Sequence, residues 1–293
     1  MALSMDFDER MVRQNEPLAP HTWFQLGGSA QYFAEPETVD ELTELVRRCR
    51  QEGMPVRLLG GGSNVLVRDE GVRGLVLRLG GEAFSKIEIQ GTKVTVGAGA
   101  KLGHVISTAV GRGLAGMETL VGIPGTIGGA LHGNAGGRGG DIGQWTSRAT
   151  VLTRGGELIE RSRDDLVFAY RQSSLDELVI LGAEFSLEQD DPDELIKRMQ
   201  KQWIAKRAGQ PLGHQSAGCI FKNPRGMSAG MLIDQAGLKG TRVGGAEVSD
   251  RHANFIVADE KATSKDVLQL IDLVRQRVAE RLGIELETEI EIW

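Results

Sequence analysis

The sequence predicts an α+β protein of two or three lobes, with long glycine-rich loops that bind a ligand. The chain has 293 residues, enough for two or three lobes that each bury a substantial hydrophobic core. Short apolar runs typical of strands alternate with amphipathic runs typical of helices. Nine of the twenty residues from 121 to 140 are glycine, which a folded chain tolerates mainly where its backbone turns sharply or approaches another group closely.

Composition and charge exclude several classes of protein. The net charge of -6 gives no electrostatic basis for binding nucleic acid or an anionic membrane. No apolar run reaches transmembrane length, and the first sixteen residues lack the apolar core of a signal peptide. Cys49 and Cys219 lie far apart in the sequence and form no disulfide framework or metal motif. We therefore expect a protein of a reducing compartment, the cytoplasm, without a metal site.

The first part of the chain is predicted to form strands around one helix. Two strands within residues 21–36 meet at a turn at Gly27-Gly28. Thr38 caps a helix over residues 38–52. Cys49 falls on the apolar stripe of that helix, so we predict that it is buried packing.

The middle of the chain is predicted to add further strands and one helix. The helix covers residues 102–110, and a hairpin over residues 150–160 turns at Gly155-Gly156. The remaining predicted strands cover residues 75–79, 86–89, 94–96 and 178–187.

A domain boundary is predicted near residue 190, where Asp191-Pro192 opens a helix. Its predicted apolar face comprises Leu195, Ile196, Met199, Trp203 and Ile204. The rest of the chain is predicted to contain strands at 218–222 and 254–258 and capped helices at 228–236 and 263–282. Residues 283–293 alternate as a strand whose glutamates at 285, 287 and 291 face solvent. We predict three domains, 1–77, 78–190 and 191–293.

Two glycine-rich loops are the candidate ligand-binding elements. Residues 121–140 are predicted to wrap a phosphate-bearing ligand, because clustered main-chain N–H groups form an anion-binding concavity. A flexible linker is the alternative, but Ile123, Pro124, Ile127 and Leu131 interrupt the glycines. The loop that comes first in the chain, GGGSN at 60–64, joins two strands and matches neither a dinucleotide fingerprint nor a P-loop. Two such loops favour one extended ligand over two coincident tight hairpins.

Seven motifs carry a family resemblance. They are LLGGGSNVLV at 58–67, GIPGTIGGALHGNAG at 122–136, YRQS at 170–173, AGCIFKNP at 217–224, GLKG at 237–240, GGAEVSDRHANFIVA at 244–258 and LETEI at 286–290. In this order they resemble the UDP-N-acetylenolpyruvoylglucosamine reductases, flavoenzymes that complete UDP-N-acetylmuramate for bacterial cell-wall synthesis. The resemblance runs from about His21 to the last residue of the sequence.

The resemblance implies a two-lobed FAD-binding domain of the vanillyl-alcohol-oxidase type, followed by an α+β substrate-binding domain whose C-terminal strand returns to the active site. It implies non-covalent FAD, NADPH as co-substrate and UDP-N-acetylglucosamine enolpyruvate as substrate, and it implies no particular oligomer. The residues implied to bind FAD are Gly60, Gly61, Gly62, Ser63, Asn64, Gly122, Ile123, Pro124, Gly125, Thr126, Gly128, Gly129, Ala130 and Asn134.

The family's reaction implies three catalytic residues. Reduced flavin adds a hydride to C3 of the enolpyruvyl group, and a protein acid protonates C2. Negative charge builds at C2 and the adjoining carboxylate, so the site needs preorganised positive charge and a proton donor. Arg171 matches the family's arginine, which can bind the carboxylate with its planar fork, although a surface ion pair would explain an arginine equally well. Glu289 matches the family's glutamate. This chain has Thr288 where the family often has proline before that glutamate. The register therefore rests on Leu286, Glu289 and Ile290, and Glu287 remains a weaker candidate.

Cys219 stands where the family usually has its proton-donating serine. A thiol with an ordinary pKa of roughly 8.5 is mostly protonated at neutral pH and is a stronger acid than a hydroxyl. The alternative is that Cys219 only packs beneath the Gly218 turn. The residues implied to contact substrate are Tyr170, Lys222, Asn223, His252 and Asn254, and His252 has the alternative of an ordinary hydrogen-bonded histidine.

Two other functions compete with this interpretation. One is an FAD oxidase of the same fold that acts on a sugar or an alcohol, which the motifs at 217–224 and 252–258 disfavour. The other is a non-catalytic flavin- or nucleotide-binding protein, which the joint presence of Arg171, Cys219 and Glu289 disfavours. The segment 171–187 is too short for the tyrosine-bearing lid of some family members, so the resemblance is to the shorter type.

Overall fold

The computed structural model describes residues 11–137 and 139–293, which contain both helices and sheets. Residues 1–10, which begin the predicted first domain, and residue 138, in the glycine-rich stretch, lie outside the described ranges. The helices are α1 Val39–Gln51, α2 Leu102–Gly111, α3 Ile127–His132, α4 Pro192–Gly209, α5 Ala229–Gln235 and α6 Ser264–Leu282.

The strands are short and numerous. In chain order they are β1 Val12–Pro17, β2 Ser29–Ala34, β3 Val56–Leu58, β4 Val65–Leu66, β5 Val72–Leu77, β6 Ile87–Gln90, β7 Lys93–Gly97, β8 Leu114–Ala115, β9 Gly136–Gly137, β10 Gly140–Asp141, β11 Thr146–Leu152, β12 Leu158–Ser162, β13 Phe168–Ala169, β14 Gln172–Ser173, β15 Val179–Ser186, β16 Glu188–Gln189, β17 Arg242–Val243, β18 Ala246–Val248, β19 Ile256–Ala258 and β20 Glu291–Ile292.

Side-chain caps fix the starts of three helices, as the sequence predicts. The Thr38 side chain accepts a hydrogen bond from the Glu41 N–H at the start of α1. Ser228 caps α5 in the same way, and Thr263 forms a reciprocal capping box with Asp266 at the start of α6. Each cap satisfies an N–H group that has no partner within its helix.

The described chain forms two compact units. The first comprises the described part of Met1–Glu16, together with Ala30–Gly61 and Arg73–Gln202. The second comprises Pro17–Ser29, Gly62–Val72 and Trp203–Trp293. Two early segments thus pack with the C-terminal part of the chain, across the boundaries of the three domains predicted from sequence. That three-domain division stays a prediction.

The first unit contains two hydrophobic clusters. One lies between α1 and the sheet of order β1-β2-β5-β3 and includes Leu42, Leu45 and the fully buried Cys49. The other lies between helices α2 and α3 and the antiparallel sheet of order β12-β11-β15-β7-β6. Helix α2 buries Leu102, Val105, Ile106, Ala109 and Val110, and the predicted hairpin at 150–160 joins β11 to β12.

The second unit packs α5 and α6 with the antiparallel sheet β17-β18-β19. Helix α6 buries Val267, Leu270, Ile271, Val274 and Val278 in this cluster. Phe24, Leu26 and Leu66, from the two early segments, are buried in the same cluster. Strand β4 of one early segment pairs in parallel with β20 near the C-terminus, so residues distant in sequence complete one core.

The structure corrects two of the predicted strands. Residues 23–26 form a turn-rich loop in which the Trp23 N–H donates to Gly62 O and Gln25 has a φ of 54°. Their apolar side chains are explained by burial of Phe24 and Leu26 in the second core rather than by strand pairing. Residues 218–222 make only isolated bridges, because the left-handed Gly218, with a φ of 75°, interrupts an extended strand.

Two further predictions are corrected in part. Helix α4 buries Leu195 and partly buries Ile196 and Met199, but Trp203 and Ile204 are exposed, so the predicted apolar face does not run its full length. Of residues 283–293, only Glu291–Ile292 form a strand. The predicted alternation of side chains nevertheless holds there, because the glutamates at 285, 287 and 291 are exposed while Glu289 is half-buried.

Candidate active site

The two glycine-rich loops contact each other within the first unit. A Cβ added to Gly60 would lie 2.9 Å from Thr126 Oγ1, and a Cβ added to Gly61 would lie 2.6 Å from the Cα of Gly125. Real Cβ atoms do not approach backbone this closely, so the loops meet at this distance because both positions lack a side chain. The sequence-based expectation that the loops serve one site is consistent with this contact.

The second loop is fixed against the strand-to-helix segment before it. Leu102 N–H donates to Gly125 O at 3.0 Å, and Ile127 and Gly128 N–H donate to the carbonyls of residues 100 and 98 at 2.9 and 2.8 Å. Thr126 caps the short helix α3, because its hydroxyl accepts from Gly129 N–H at 3.4 Å. Gly122 and Gly125 have φ values of 78° and 112°, and Ala130 is buried in the core.

These loops fit the diphosphate of a dinucleotide. Within the described ranges, no residue accepts a hydrogen bond from the N–H groups of Gly60, Gly61 or Gly125. Main-chain N–H groups without protein acceptors on two adjacent glycine loops can donate hydrogen bonds to an anion such as a diphosphate. These N–H groups are compatible with FAD in the two loops, and the individual FAD-binding residues that the resemblance implies stay a prediction.

The end of the first loop belongs to the second unit. Gly62 has a φ of 64°, and a Cβ on it would lie 2.1 Å from His21 O. The Asn64 side chain donates to Glu289 O at 3.1 Å, and the Asn64 carbonyl accepts from Glu291 N–H at 2.9 Å. Ser63 and Asn64 are thereby held beside the C-terminal segment that contains the predicted catalytic glutamate.

Arg171 lies at the tip of a two-residue hairpin in the first unit. Strands β13 and β14 pair antiparallel, and Tyr170 and Arg171 form the turn between them. Arg171 has a φ of 57°, a left-handed conformation that costs an L-residue about 1–2 kcal/mol. Its Nη1 donates to Gly136 O at 2.9 Å, and its guanidinium carbon lies 5.5 Å from the centre of the Tyr170 ring. A strained, half-buried arginine of this kind is unlike a freely rotating surface residue.

The Arg171 hairpin is attached to the segment that follows α3. The Ser173 hydroxyl donates to His132 O at 2.9 Å. The Asn134 amide donates to Ala169 O at 2.8 Å and accepts from Gly143 N–H at 3.1 Å. Helix α3 therefore begins at the glycine loop and ends at the arginine hairpin.

In the second unit, Cys219 lies beside an asparagine clamp. Cys219 is half-buried and its backbone forms a bridge with Phe255. The buried Asn254 side chain accepts from Phe221 N–H at 3.0 Å and donates to Phe221 O at 2.8 Å, while the Asn254 carbonyl accepts from Ile220 N–H. The Asn254 amide thus binds main chain, and its predicted contact with substrate stays a prediction.

The Glu289 segment lies along the other side of residues 219–222. Glu289 N–H donates at 2.7 Å to the carbonyl of Ile220, the residue after Cys219, and Lys222 N–H donates to Glu287 O at 2.8 Å. The Lys222 ammonium also lies 2.6 Å from the Glu287 carboxylate. The structure therefore brings the Cys219 and Glu289 backbones together and makes Glu287 the ion-pair partner of Lys222.

The other two predicted substrate residues contact neighbouring backbone. Asn223 Oδ1 accepts from Ala229 N–H at 2.9 Å at the start of α5. His252 Nδ1 accepts from Asn254 N–H at 3.3 Å, and its ring lies edge-on to Phe255 at 4.9 Å. Burial lowers the pKa of His252 below its ordinary value, which favours a neutral ring that can accept this hydrogen bond.

The predicted site residues thus fall into two sets. Gly60, Gly61, residues 122–134, Tyr170 and Arg171 belong to the first unit. Gly62, Ser63, Asn64, Cys219, Lys222, Asn223, His252, Asn254 and Glu289 belong to the second. Sequence reasoning did not identify the supporting roles of Gly136 and Ser173. The serine of the YRQS motif was the available signal for the second of them.

The described residues include neither a membrane-spanning helix nor a metal-binding cluster. No helix in residues 11–137 and 139–293 is long and apolar enough to cross a membrane. Within the same ranges, no cluster of three or more histidine, cysteine, aspartate or glutamate side chains could hold a metal ion.

Comparison with known proteins first gives the class. Residues 30–162 match the model of an FAD binding domain. A Phl p 4 variant described as a glucose oxidase shares the fold at a TM-score of 0.50 and 15% identity, over 64% of this chain and 43% of that chain. The predicted α+β fold with an FAD-binding domain is therefore confirmed, and the chain is a flavoprotein.

The family follows from nearer relatives. Residues 210–293 match the C-terminal domain of UDP-N-acetylenolpyruvoylglucosamine reductase. The protein named UDP-N-acetylenolpyruvoylglucosamine reductase 2 of Symbiobacterium thermophilum is 46% identical over 98% of this chain and 93% of its own length. The reductase of Listeria innocua is 41% identical over 99% of this chain and 97% of its own length.

A solved structure agrees with these relatives. The crystal structure of UDP-N-acetylenolpyruvylglucosamine reductase from Thermus caldophilus aligns with a TM-score of 0.84 at 39% identity, over 96% of this chain and 99% of that chain. The chain belongs to the UDP-N-acetylenolpyruvoylglucosamine reductase family.

Proposed function

We propose that this chain uses NADPH and bound FAD to reduce the enolpyruvyl group of UDP-N-acetylglucosamine enolpyruvate to the lactyl ether of UDP-N-acetylmuramate. The reaction supplies a precursor of peptidoglycan, and we place it in the cytoplasm. The observation that carries the proposal is the close contact of Gly60 and Gly61 with Gly125 and Thr126, in a chain that belongs to this reductase family.

The glycine loops hold the cofactor. The N–H groups of Gly60, Gly61 and Gly125 bind the diphosphate of FAD, and Ser63 and Asn64 extend the same loop. The chemistry that bound FAD supplies is hydride transfer, from NADPH to C3 of the enolpyruvyl group. No covalent link is required, so acid denaturation should release all the yellow colour from the polypeptide.

Arg171 stabilises the negative charge that develops on the substrate. When a hydride reaches C3, charge spreads over C2 and the adjoining carboxylate. A guanidinium offers two parallel donors that match a carboxylate, and a hairpin that fixes its position before reaction lowers the cost of reorganisation. The hydrogen bond from Arg171 to Gly136 O supports such a fixed position.

Cys219 donates the proton to C2. Glu289, whose segment lies beside residues 219–222, assists charge stabilisation. The Cys219 S–H bond breaks as the C2–H bond forms, so that hydride and proton together reduce the double bond. Support for this assignment comes from the hydrogen bond that Glu289 N–H donates to the carbonyl of Ile220, the residue after Cys219. Lys222 binds the substrate diphosphate after releasing its ion-pair partner Glu287, and Asn223, His252 and Asn254 of the same unit also contact the substrate.

Two anaerobic half-reactions test the function. NADPH should bleach the yellow protein, and only UDP-N-acetylglucosamine enolpyruvate should restore the colour, with UDP-N-acetylmuramate as the product. Reoxidation by oxygen coupled to turnover of a sugar or an alcohol would identify an oxidase instead. A yellow protein that NADPH fails to bleach would identify a flavin-binding protein without this activity.

A further inference from the structure

We infer that Asn134 is a positioning residue that holds the Arg171 hairpin in place, rather than a residue that contacts FAD. The inference rests on the proposed role of Arg171. Asn134 lies between α3 and β9, it is 2% exposed, and it has a left-handed φ of 42°. Its side chain is therefore directed into the protein and is engaged there by two backbone groups.

The two contacts of Asn134 join the hairpin to the rest of the first unit. Its Nδ2 donates to Ala169 O at 2.8 Å, directly before the Tyr170-Arg171 turn. Its Oδ1 accepts from Gly143 N–H at 3.1 Å on the opposite side. One amide thus bridges the hairpin and the turn that precedes β11. Among residues 132–136, Asn134 is the residue whose side chain hydrogen-bonds to the hairpin.

The neighbouring contacts make the hairpin position depend on this segment. Ser173 binds His132 O after the turn, and the Arg171 guanidinium binds Gly136 O. Arg171 itself is held in a left-handed conformation, which persists only where the surroundings over-determine it. Loss of the bond to Ala169 O releases the strand that enters the turn and leaves the two other contacts in place.

Only an amide can both donate to Ala169 O and accept from Gly143 N–H, so a substitution that removes only the donor tests the inference. Asn134→Asp keeps the shape and the acceptor for Gly143 N–H, but it removes the donor and places a carboxylate oxygen against Ala169 O. Asn134→Gly removes the whole side chain while tolerating the positive φ, so it serves as the second variant if the aspartate variant does not fold.

The experiment compares half-reactions in a double-mutant cycle with Arg171→Lys. In Asn134→Asp, we expect reoxidation of the reduced protein by the enolpyruvyl substrate to slow by about tenfold or more, the scale of a small misplacement of a catalytic group. Reduction by NADPH and the dissociation constant of FAD, measured by flavin fluorescence, should stay within about threefold of wild type. In the Arg171→Lys background, Asn134→Asp should slow reoxidation little further, because the positioned group is already impaired.

Thr146→Val is the matched control. Thr146 is also buried in the first unit, and its hydroxyl donates to Ile142 O at 2.9 Å without contacting the hairpin. It should lower the melting temperature as much as Asn134→Asp while leaving both half-reactions near wild type.

Four results would overturn the inference. Weakened FAD binding with equal slowing of both half-reactions would make Asn134 a cofactor contact. Full additivity with Arg171→Lys would show that Asn134 acts independently of Arg171. If Arg171→Lys alone left reoxidation unchanged, both the inference and the proposed role of Arg171 would fail, whereas a slow Arg171→Lys variant with a normal Asn134→Asp variant would remove only the inference.

Discussion

Cys219 is the residue at which this chain departs from the usual serine of its family. If its thiol protonates C2, Cys219→Ala should retain FAD binding and reduction by NADPH but should reoxidise with substrate about a hundredfold more slowly, the lower end of general acid catalysis. Cys219→Ser should restore much of that rate, because a hydroxyl reaches the same carbon. Stopped-flow absorbance of the flavin measures both steps.

Cys49 is the internal control for that experiment. It is fully buried, and burial raises its pKa to about 11, so it carries almost no thiolate at neutral pH. A small alkylating reagent should therefore inactivate the wild type through Cys219 and spare Cys219→Ser, while Cys49→Ala should change stability rather than rate. If the Cys219→Ala variant turned over substrate at the wild-type rate, the Cys219 thiol would have a packing role only.

His252 gives a prediction about pH. Its pKa is lowered by burial, so the unfolded chain takes up a proton at a higher pH than the folded chain does. Its contribution to stability is therefore complete above its ordinary value of 6.5 and is lost as the pH falls through the lower folded value. In His252→Gln, the free energy of unfolding from urea titrations should decline less steeply below pH 6.5 than in wild type.

The control for this measurement is His214→Gln, which removes an exposed histidine from the same unit. It should retain the wild-type decline. Equal curves for His252→Gln and wild type would show that protonation of His252 is not coupled to unfolding.

At the scale of single residues, the sequence predicted burial but did not predict contacts between residues distant in sequence. The burial of Cys49 followed from helical spacing alone. The clamp of Asn254 on Phe221 and the bridge of Asn134 between Ala169 and Gly143 did not, because they join residues distant in sequence. The left-handed backbone of Arg171 also has no local signal, since arginine does not favour that conformation.

At the scale of elements, the contact between the glycine loops should control cofactor binding. Gly61→Ala places a Cβ 2.6 Å from the Cα of Gly125, and main chain cannot rotate away as a side chain could. Overpacking costs about 1–3 kcal/mol, so the dissociation constant of FAD should rise about tenfold or more. Fluorescence titration of the FAD-free protein measures this directly.

Gly103→Ala is the matched control. Gly103 lies on the exposed side of α2, and a Cβ there would meet no described atom within 4 Å. We expect unchanged FAD affinity and a small gain in stability, since alanine favours a helix more than glycine does. Wild-type FAD affinity in Gly61→Ala would separate the loop contact from cofactor binding.

The elements most accurately predicted were those with local signals. The caps Thr38, Ser228 and Thr263 start their helices as predicted, because a hydroxyl that satisfies a nearby N–H is a short-range interaction. Residues 23–26 and 218–222 were wrongly predicted as strands. Apolar side chains from both segments are buried in the core, while the backbone of 218–222 forms only isolated bridges. The hydrophobic pattern alone cannot distinguish this arrangement from a strand in a sheet.

On the scale of the whole molecule, the composition of the second unit gives a fourth prediction. A fragment of residues 203–293 lacks Phe24, Leu26 and Leu66, which are buried in its core, and lacks β4, the partner of β20. Each lost apolar side chain costs about 1.5–3 kcal/mol, which together approaches the total stability of a typical domain. The fragment should show little tertiary structure in near-ultraviolet circular dichroism and proton NMR, whereas a cooperative melt would contradict the prediction.

The sequence also did not predict which segments belong to which unit. Hydrophobic periodicity identifies residues that must be buried but does not say in which core. The segments 17–29 and 62–72 were placed with their sequence neighbours, yet they pack with residues that follow long after them.

The pairing of β4 with β20 also bears on how the protein is made. A ribosome releases β4 early and synthesises the whole first unit before the partner strand exists. The nascent chain must therefore keep Leu66 and the adjoining Ser63-Asn64 loop unpaired throughout translation of that unit. We expect the Ser63-Asn64 end of the flavin loop to be held in place only after synthesis of the partner strand, so that flavin affinity reaches its final value late in folding.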